Sequence, residues 1–471
     1  MKPNVTAIIV NWNRKNDVIA LLDSVARLDD HHPQVVIVDN ASSDGSAAAI
    51  TAHPLGVILI KNPVNLGGTG GFNTGLRYAL GNLEQDYLWL LDNDATVAPG
   101  ALSALVETME KEPSIAVAGS KILNAHDPAN IVETGAHIDW LTASVVPVNR
   151  NVINPDDEPK LFDVEYVAIC SALFRVSVLQ QIGIMDERYF LLWDDMDWGV
   201  SFSKAGYRVV AVNHSVIYHP PFTEKRSLAV DNYYGIRNPL LTLSKHTRGI
   251  VRFQALLTLC RRACRIFALY SIEHQEYARN LVRQALADFL CNRWGKLSLV
   301  NVPPAGEAAE PDYLPWSSLQ GEILVLNSGP VEEINRVVRL LAANCNDAVA
   351  IDVVIQADRQ GLLDTADISR VVPVDFESGN ALWRNVLVYR QLRRKRYALA
   401  VNPSRDRTSP FAYVASSLAR LGPEADRLLP QRSRSLVQVI FTGVLYELSA
   451  ILLFPFVYIR SCFYSMSGEN R

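Results

Sequence analysis

The stretch LWLLDNDATV, residues 88–97, decides how the first half of this chain is interpreted. Large apolar side chains run without a break to Asp92 and Asp94, which have one asparagine between them. A short apolar run that ends at polar residues is typical of a buried β-strand. Ligands of open α/β sheets bind at the carboxyl ends of the strands, so we expect the two aspartates to lie at a binding site.

Similar apolar runs alternate with segments of helical length before this stretch: VTAIIVNW, QVVIVDN and GVILIKN. Strands separated by helices predict an α/β fold with a mostly parallel sheet that helices cover on both faces. Asn11 and Trp12 end the first run, and Asp39 lies near the end of the second. Because the strands are parallel, we expect these residues at the same edge of the sheet as the two aspartates.

Composition excludes some classes of protein. Of the 471 residues, 49% are hydrophobic and 20% are charged, which indicates a folded globular protein of two or three domains. The formal net charge of -4 gives no overall attraction to nucleic acid, so we expect no nucleic-acid partner. The six cysteines form no C-x-x-C pair and no His/Cys ligand spacing, which predicts free thiols in a reducing compartment.

Local composition predicts the domain organisation. The stretch KHTRGIVRFQALLTLCRRACRIFALY, residues 245–270, mixes apolar residues with basic ones. This composition suits either the face of an anionic membrane or the solvated face of a packed helix. Four further strand-like runs, GEILVLNSG, AIDVVIQAD, ISRVVPVD and YALAVNP, predict a second, smaller α/β domain. The predicted regions are an α/β domain at 1–245, a helical basic segment at 246–305, a linker at 306–320, the second α/β domain at 321–430 and a hydrophobic tail at 431–471.

The hydrophobic tail contains LVQVIFTGVLYELSAILLFPFVYI, residues 436–459, whose one charged residue is Glu447. This segment is long enough to span a bilayer. Gln438, Glu447 and Pro455 make a helix in the membrane plane, or a re-entrant one, an equal alternative. A buried helical hairpin is the third interpretation.

Two motifs near the first domain's strand ends indicate diphosphate chemistry. The carboxylates of Asp92 and Asp94 are hard oxygen ligands that suit Mg²⁺ or Mn²⁺, although such a pair is also common as a polar strand end. In NPVNLGGTGGFNTGL, residues 62–76, Gly67 and Gly68 permit a sharp turn and close approach of a ligand to the amides that begin the next helix. A tight strand-to-helix loop is the alternative. The stretch has no GK[ST] end and is therefore not a Walker motif.

A third motif, YFLLWDDMDWGVSFSK, places Asp194, Asp195 and Asp197 at the start of a helix, where the helix dipole favours ionised carboxylates. A carboxylate beside a bound sugar can take a proton from an acceptor hydroxyl. N-capping of the helix is the alternative. The following NHSVIYHPPF contains His214 and His219, and we favour His219 as an additional metal ligand beside the aspartate pair.

In their order and spacing, VTAIIVNWNR, VIVDNASSDGS, NLGGTGGFNTGL, LLDNDA and WDDMDWG resemble the inverting family 2 glycosyltransferases, which have a GT-A fold. The resemblance covers residue 1 to about residue 245. The paired glycines, the WDD cluster and NYYGIRN, residues 232–238, are most similar to the branch of galactofuranosyltransferases and rhamnosyltransferases. Members of this branch build bacterial polysaccharide and cell wall on lipid carriers.

The resemblance implies a role for each motif. Asp92 and Asp94, with His219, would hold Mg²⁺ or Mn²⁺ on the donor diphosphate. Asp195, the second aspartate of the WDD motif, would be the catalytic base. The implied donor-binding residues are Asn11, Trp12, Asp39, Asn65, Gly67 and Gly68, and the implied acceptor-binding residues are Trp193, Asp194 and Asp197.

The implied activity is transfer of galactofuranose or L-rhamnose from a UDP- or dTDP-sugar to a glycan linked to polyprenyl diphosphate. The enzyme would lie at the cytoplasmic face of the cell membrane, peripherally or anchored by its tail. The second α/β domain is similar to the amino-terminal half of heptosyltransferase-like GT-B enzymes, which implies a role in acceptor binding or scaffolding. Two alternatives remain open, a nucleotidyltransferase and a non-catalytic glycan-binding or assembly protein that kept the fold.

Overall fold

The structure is a computed structural model, which describes part of the chain. The described residues are 2–150, 154, 161–220, 230–272, 275–298, 321–326, 331–345, 349–374, 397–401, 420–421, 428–429 and 436–466. The predicted linker at 306–320 lies outside these residues. Each of the six cysteines is within them and has a free thiol.

The strands and helices alternate along the first part of the chain, as the sequence predicts. The strands are β1 (Val5–Asn11), β2 (Gln34–Asp39), β3 (Ile58–Lys61), β4 (Tyr87–Asp92), β5 (Thr96–Val97), β6 (Ile115–Asn124), β7 (Ile131–Glu133), β8 (Ala136–Asp139), β9 (Ser144–Pro147), β10 (Leu161–Asp163), β11 (Ser171–Arg175), β12 (Arg208–His219), β13 (Glu322–Leu326), β14 (Ala350–Gln356), β15 (Arg370–Val374), β16 (Tyr397–Val401), β17 (Arg420–Leu421) and β18 (Leu428–Leu429). The helices are α1 (Lys15–Val25), α2 (Ser46–Thr51), α3 (Gly67–Asn82), α4 (Ala101–Lys111), α5 (Val176–Ile182), α6 (Asp194–Lys204), α7 (Gly235–His246), α8 (Gly249–Ile272), α9 (Glu276–Leu290), α10 (Val331–Asn344) and α11 (Leu436–Met466).

The main sheet has the strand order β10-β12-β6-β11-β4-β1-β2-β3, with β5 paired to β12 and β7 paired to β6. Strand β1 is parallel to β2 and β4, β2 is parallel to β3, and β6 is parallel to β12. Strand β11 lies antiparallel between β4 and β6. The predicted α/β fold with a mostly parallel sheet is confirmed. The strands β1, β2, β4 and β12 run in one direction, so their carboxyl ends meet at one edge.

Both faces of the main sheet are buried. Ile9 and Trp89 pack into a core with side chains of α1 and α4, whereas Ile8 and Leu90 pack into a core with side chains of α3, α5 and α6. Neighbouring residues of a strand point to opposite faces, so a strand buried on both sides must be apolar at every position. This requirement explains the unbroken apolar run before Asp92.

Glycines let α3 pack directly on β1. A Cβ atom at Gly71 would lie 2.5 Å from Cγ1 of Val10, and one at Gly75 would lie 2.4 Å from Cγ2 of Ile8. Real Cβ atoms do not approach other carbon atoms this closely, so the two positions require glycine. The close packing brings the start of α3 to the carboxyl end of β1.

The chain divides into two compact units. The first holds the described residues within Met1–Leu259, Gln284–Ser298 and Phe456–Arg471, and the second holds those within Cys260–Arg283 and Leu299–Pro455. The second unit contains all four strands predicted for it, in a parallel sheet of order β15-β14-β13-β16. The buried side chains of α10 repeat at helical spacing and pack against this sheet: Ile334, Val337, Val338 and Leu341.

The hydrophobic tail forms one continuous helix, α11, with Pro455 inside it. The hairpin interpretation of this segment is therefore wrong. Among the described residues, no helix has the length and apolarity that crossing a membrane would require. Exposed apolar side chains recur every three or four residues along α11 and form what we call its apolar face: Leu445, Leu448, Leu452, Phe456, Ile459 and Phe463.

Candidate active site

Polar residues end four strands at one edge of the main sheet. Asn11, Asp39, Asp92 and His219 are the last residues of β1, β2, β4 and β12. Three of these positions are predicted from the apolar runs alone. His219 joins them because β12 is long and runs parallel to β6 as far as its own last residue.

Asp92, Asp94 and His219 form a group that could hold a metal ion. One ligand atom from each residue lies within 4.8 Å of the others. Nε2 of His219 is 3.0 Å from Oδ1 of Asp94, and Nδ1 of His219 is 2.5 Å from the carbonyl oxygen of Pro220. A hydrogen bond from one imidazole nitrogen to a carbonyl fixes the ring and directs the other nitrogen toward a metal. Two carboxylates and one imidazole suit Mn²⁺ or Mg²⁺.

The charges of this group favour a bound cation. Burial, together with the neighbouring charge of Asp94, raises the pKa of Asp92 to about 6. Burial alone would lower the pKa of His219, but its hydrogen bond with Asp94 and the charges of both aspartates raise it. The two carboxylates therefore repel each other in a partly buried place, and a divalent cation between them would remove that repulsion.

Asp195 lies on another element beside this group. It is part-buried near the start of α6, and its Oδ1 accepts a hydrogen bond from the backbone N–H of Met196 at 2.8 Å. Burial raises the pKa of Asp195 well above its usual range, and the charge of Asp194 adds to this effect. The residue that precedes α6 is Trp193, so neither aspartate occupies the N-cap position, and the capping interpretation is wrong.

Glu133 is a site residue that the sequence did not indicate. It ends β7, is 1% exposed, and its Oε2 accepts a hydrogen bond from Nη2 of Arg150 at 2.9 Å. Its charge and that of Asp92 both raise the pKa of Asp195, so the three carboxylates belong to one acidic pocket. A single glutamate at the end of a three-residue strand carries no sequence pattern that would have shown this.

The predicted donor-binding residues at the strand ends contact one another. Nδ2 of Asn11 is 3.3 Å from Oδ1 of Asp39, and Nδ2 of Asn93 donates to Oδ1 of Asn11 at 3.0 Å. Asn11 and Asp39 are buried, whereas the side chain of Trp12 is 52% exposed. Asn11 therefore orients its neighbours, and Trp12 offers surface to a ligand.

The glycine loop packs against the chain that precedes α6. Oδ1 of Asn65 accepts the N–H of Gly67 at 2.7 Å, and the N–H of Thr69 donates to the carbonyl oxygen of Phe190 at 3.3 Å. Gly67 has a φ of +77°, and a Cβ atom there would lie 2.1 Å from the same oxygen of Phe190. Asn65 and Gly67 thus contact each other and the neighbouring chain, and their role in donor binding stays a prediction. A Cβ atom at Gly68 would be 3.7 Å from Leu191, which also places this loop against the chain that precedes α6.

Two predicted acceptor residues have structural contacts instead. Trp193 is 9% exposed and packs with Leu241 of α7. Asp197 is 3% exposed, and its carboxylate accepts hydrogen bonds from Lys245 at 2.6 Å and from His246 at 2.8 Å. Both residues hold α6 to α7, which argues against direct acceptor contact.

Asp194 is also occupied within the protein. It is 9% exposed, and its Oδ2 accepts a hydrogen bond from Oγ1 of Thr69 at 2.6 Å. This bond ties the start of α6 to the first turn of α3. Asp195 is therefore the aspartate of the WDD cluster with the greatest access to a substrate.

Residues 6–183 match the family model described as Glycosyl transferase family 2. Residues 6–183 thus form a family 2 glycosyltransferase domain, as the sequence resemblance predicts. The match to this family gives no support to the nucleotidyltransferase alternative.

The relatives belong to the predicted branch. The chain is 23% identical over 353 residues to galactofuranosyltransferase GlfT2 of Mycolicibacterium smegmatis, an alignment that covers 69% of this chain and 52% of the relative. It is 24% identical over 213 residues to an N-acetylglucosaminyl-diphospho-decaprenol L-rhamnosyltransferase of Mycobacterium tuberculosis, covering 39% of this chain and 66% of the relative. The chain therefore spans about half the length of the first of these relatives.

Proposed function

We propose that this protein is a metal-dependent, inverting glycosyltransferase that moves galactofuranose or L-rhamnose from a UDP- or dTDP-sugar to a glycan. The observation that carries the proposal is the placement of two kinds of acidic group in one pocket. Asp92 and Asp94, with His219, provide a cation site at the strand ends, and Asp195 provides a separate carboxylate from α6.

This arrangement suits a single displacement at the anomeric carbon of the donor. Asp195 accepts the proton of the acceptor hydroxyl while the hydroxyl oxygen bonds to the anomeric carbon. The bond from that carbon to the diphosphate oxygen breaks on the opposite face, and the nucleoside diphosphate leaves, so the configuration is inverted. Asp92, Asp94 and His219 would hold a divalent cation, which would supply positive charge to the leaving diphosphate. The raised pKa of Asp195 makes its carboxylate a stronger base.

The names of the relatives support the choice of sugars. They include a galactofuranosyltransferase and an L-rhamnosyltransferase, and the latter's name specifies a sugar on diphospho-decaprenol as its acceptor. We extend this to an acceptor glycan linked to polyprenyl diphosphate in bacterial polysaccharide or cell-wall synthesis.

Calorimetric titration with UDP and with dTDP, first with Mn²⁺ and then with a chelator, tests the donor site. We expect binding that requires Mn²⁺, because the nucleotide diphosphate shares the cation with Asp92 and Asp94. A preference of about tenfold, or about 1.4 kcal/mol, for UDP supports galactofuranose, and the same preference for dTDP supports rhamnose. Failure of both nucleotides to bind would contradict the proposal and favour the non-catalytic assembly protein.

We also propose that the protein works at the cytoplasmic face of the cell membrane, on which the apolar face of α11 rests. Leu452 and Phe456 of that face are 72% and 66% exposed. A helix with a continuous exposed apolar face can lie in the boundary between headgroups and acyl chains.

Leu452→Ser is expected to weaken binding to phosphatidylglycerol vesicles about tenfold, since burying one leucine contributes roughly 1.5–3 kcal/mol. Vesicle co-sedimentation measures the effect. Leu362→Ser is the matched control, because Leu362 is 67% exposed but lies outside the apolar face. Equal binding of the two variants, or no binding by the wild type, would refute this placement.

A further inference from the structure

The chain that leads into α6, the helix of Asp195, has an unfavourable backbone conformation. Phe190, Leu192 and Trp193 have φ values of 68°, 64° and 69°, in the left-handed region that residues other than glycine seldom adopt. Each such residue costs about 1–3 kcal/mol and persists only when its surroundings hold it. Asp195 follows two residues after the last of them, so whatever holds residues 190–193 also fixes the direction of the Asp195 side chain.

Asn238 supplies hydrogen bonds that hold residues 190–193 in this conformation. It is fully buried in α7, and its Nδ2 lies 2.7 Å from the carbonyl oxygen of Leu191 and 2.8 Å from that of Leu192. The carbonyl oxygen of Tyr189 lies 3.2 Å from the same nitrogen. A single side-chain amide thus binds the backbone just before the left-handed residues and between them.

Arg237 orients this amide. Its Nε donates to Oδ1 of Asn238 at 3.0 Å, so the NH₂ group of Asn238 must face the carbonyl oxygens. Nη2 of Arg237 also donates to the carbonyl oxygens of Arg188 at 3.2 Å and Tyr189 at 3.0 Å. Arg237 itself is 0% exposed. Burying an arginine and an asparagine is costly unless their hydrogen bonds are satisfied, and here main-chain carbonyls accept many of those bonds.

The same segment contacts α3 on its other side. The carbonyl oxygen of Phe190 accepts the N–H of Thr69, and Gly67 leaves room for that oxygen. The segment is therefore held between the glycine loop and α7. Arg237 and Asn238, the last two residues of NYYGIRN, bond to main-chain carbonyls of this segment.

We infer that Asn238, oriented by Arg237, is a positioning residue for sugar transfer: it fixes the left-handed turn at 190–193 so that Asp195 meets the acceptor hydroxyl. The inference rests on the proposed role of Asp195 as the base. It adds that α7 sets the geometry of proton removal.

Asn238→Ala is expected to lower kcat about 100-fold, because a misplacement of about 1 Å of a reacting group can cost this much. Binding of the nucleotide with Mn²⁺ should stay within twofold, since the cation site lies on other elements. Thr242→Val is the matched control: it removes the 2.8 Å hydrogen bond between Thr242 and the hydroxyl of Tyr189 on the same helix but leaves the carbonyl contacts in place. Its kcat should stay within twofold of the wild type.

A double-mutant cycle with Asp195→Asn distinguishes positioning from a general loss of structure. If Asn238 acts through Asp195, the double variant should be no slower than Asp195→Asn alone. Multiplicative effects, or a wild-type kcat in folded Asn238→Ala, would overturn the inference. Retained transfer in Asp195→Asn itself would instead refute the proposed base. If Asn238→Ala does not fold, Arg237→Lys, which loses the fork that orients the amide, replaces it in the same cycle.

Discussion

Asp195→Asn is expected to lower the rate of sugar transfer about 10³-fold, within the range that a general base contributes. The amide has nearly the shape of the carboxylate but cannot take the proton of the acceptor hydroxyl. Binding of the nucleotide with Mn²⁺ should change less than about threefold, because the cation ligands Asp92, Asp94 and His219 remain in place. Release of nucleoside diphosphate in the presence of acceptor measures the first quantity, and calorimetry measures the second.

Asp194→Asn is the informative comparison, since it changes the adjacent carboxylate of the same motif. Asp194 accepts a hydrogen bond from Thr69, and an amide oxygen can also accept one. We therefore expect its transfer rate to fall by about tenfold at most. Equal losses in both variants would mean that the pair shares the proton. A transfer rate near that of the wild type in Asp195→Asn would remove Asp195 as the base.

The second large effect is expected for the double variant Asp92→Ala/Asp94→Ala, which should bind nucleotide with Mn²⁺ at least about 100-fold more weakly. Losing even a partner of a metal ligand often costs 10–100-fold in metal affinity, and this variant loses two ligands themselves. The titration is made at pH 7.5, above the pKa of about 6 of Asp92, so that the wild-type carboxylate is ionised.

Asp23→Ala/Asp30→Ala is the control for charge, because it removes two exposed carboxylates outside the site. It should leave nucleotide binding unchanged. If the Asp92/Asp94 variant binds as tightly as this control and with the same need for Mn²⁺, the two aspartates are a polar strand end and not a metal site.

The sequence predicts the parallel part of the sheet because strands buried on both faces must be apolar throughout. The same reasoning brings Asp92 to the ligand-binding edge. It does not predict the antiparallel insertion of β11 between β4 and β6, since the pattern of a five-residue strand does not record its direction. Pairing partners distant in the chain are set by packing that no local pattern records.

The glycine loop and the WDD cluster show where residue type misleads. A glycine that admits a ligand and one that admits a neighbouring carbonyl look alike in sequence, and Gly67 admits the carbonyl of Phe190. Three aspartates in four positions suggest one shared task, yet Asp197 forms an ion pair with Lys245, and Asp194 binds Thr69. The partners that separate these roles come from α3 and α7, far from the motif in the chain.

Asn93, the residue between the two aspartates, links this motif to the end of β1. Its amide donates to Oδ1 of Asn11, and the amide of Asn11 is directed toward Asp39. An aspartate at position 93 could not donate, so Asn11 would lose the bond that sets its orientation. The middle residue of the acidic motif and the last residue of β1 are therefore coupled, so a substitution between the two aspartates also changes the end of β1.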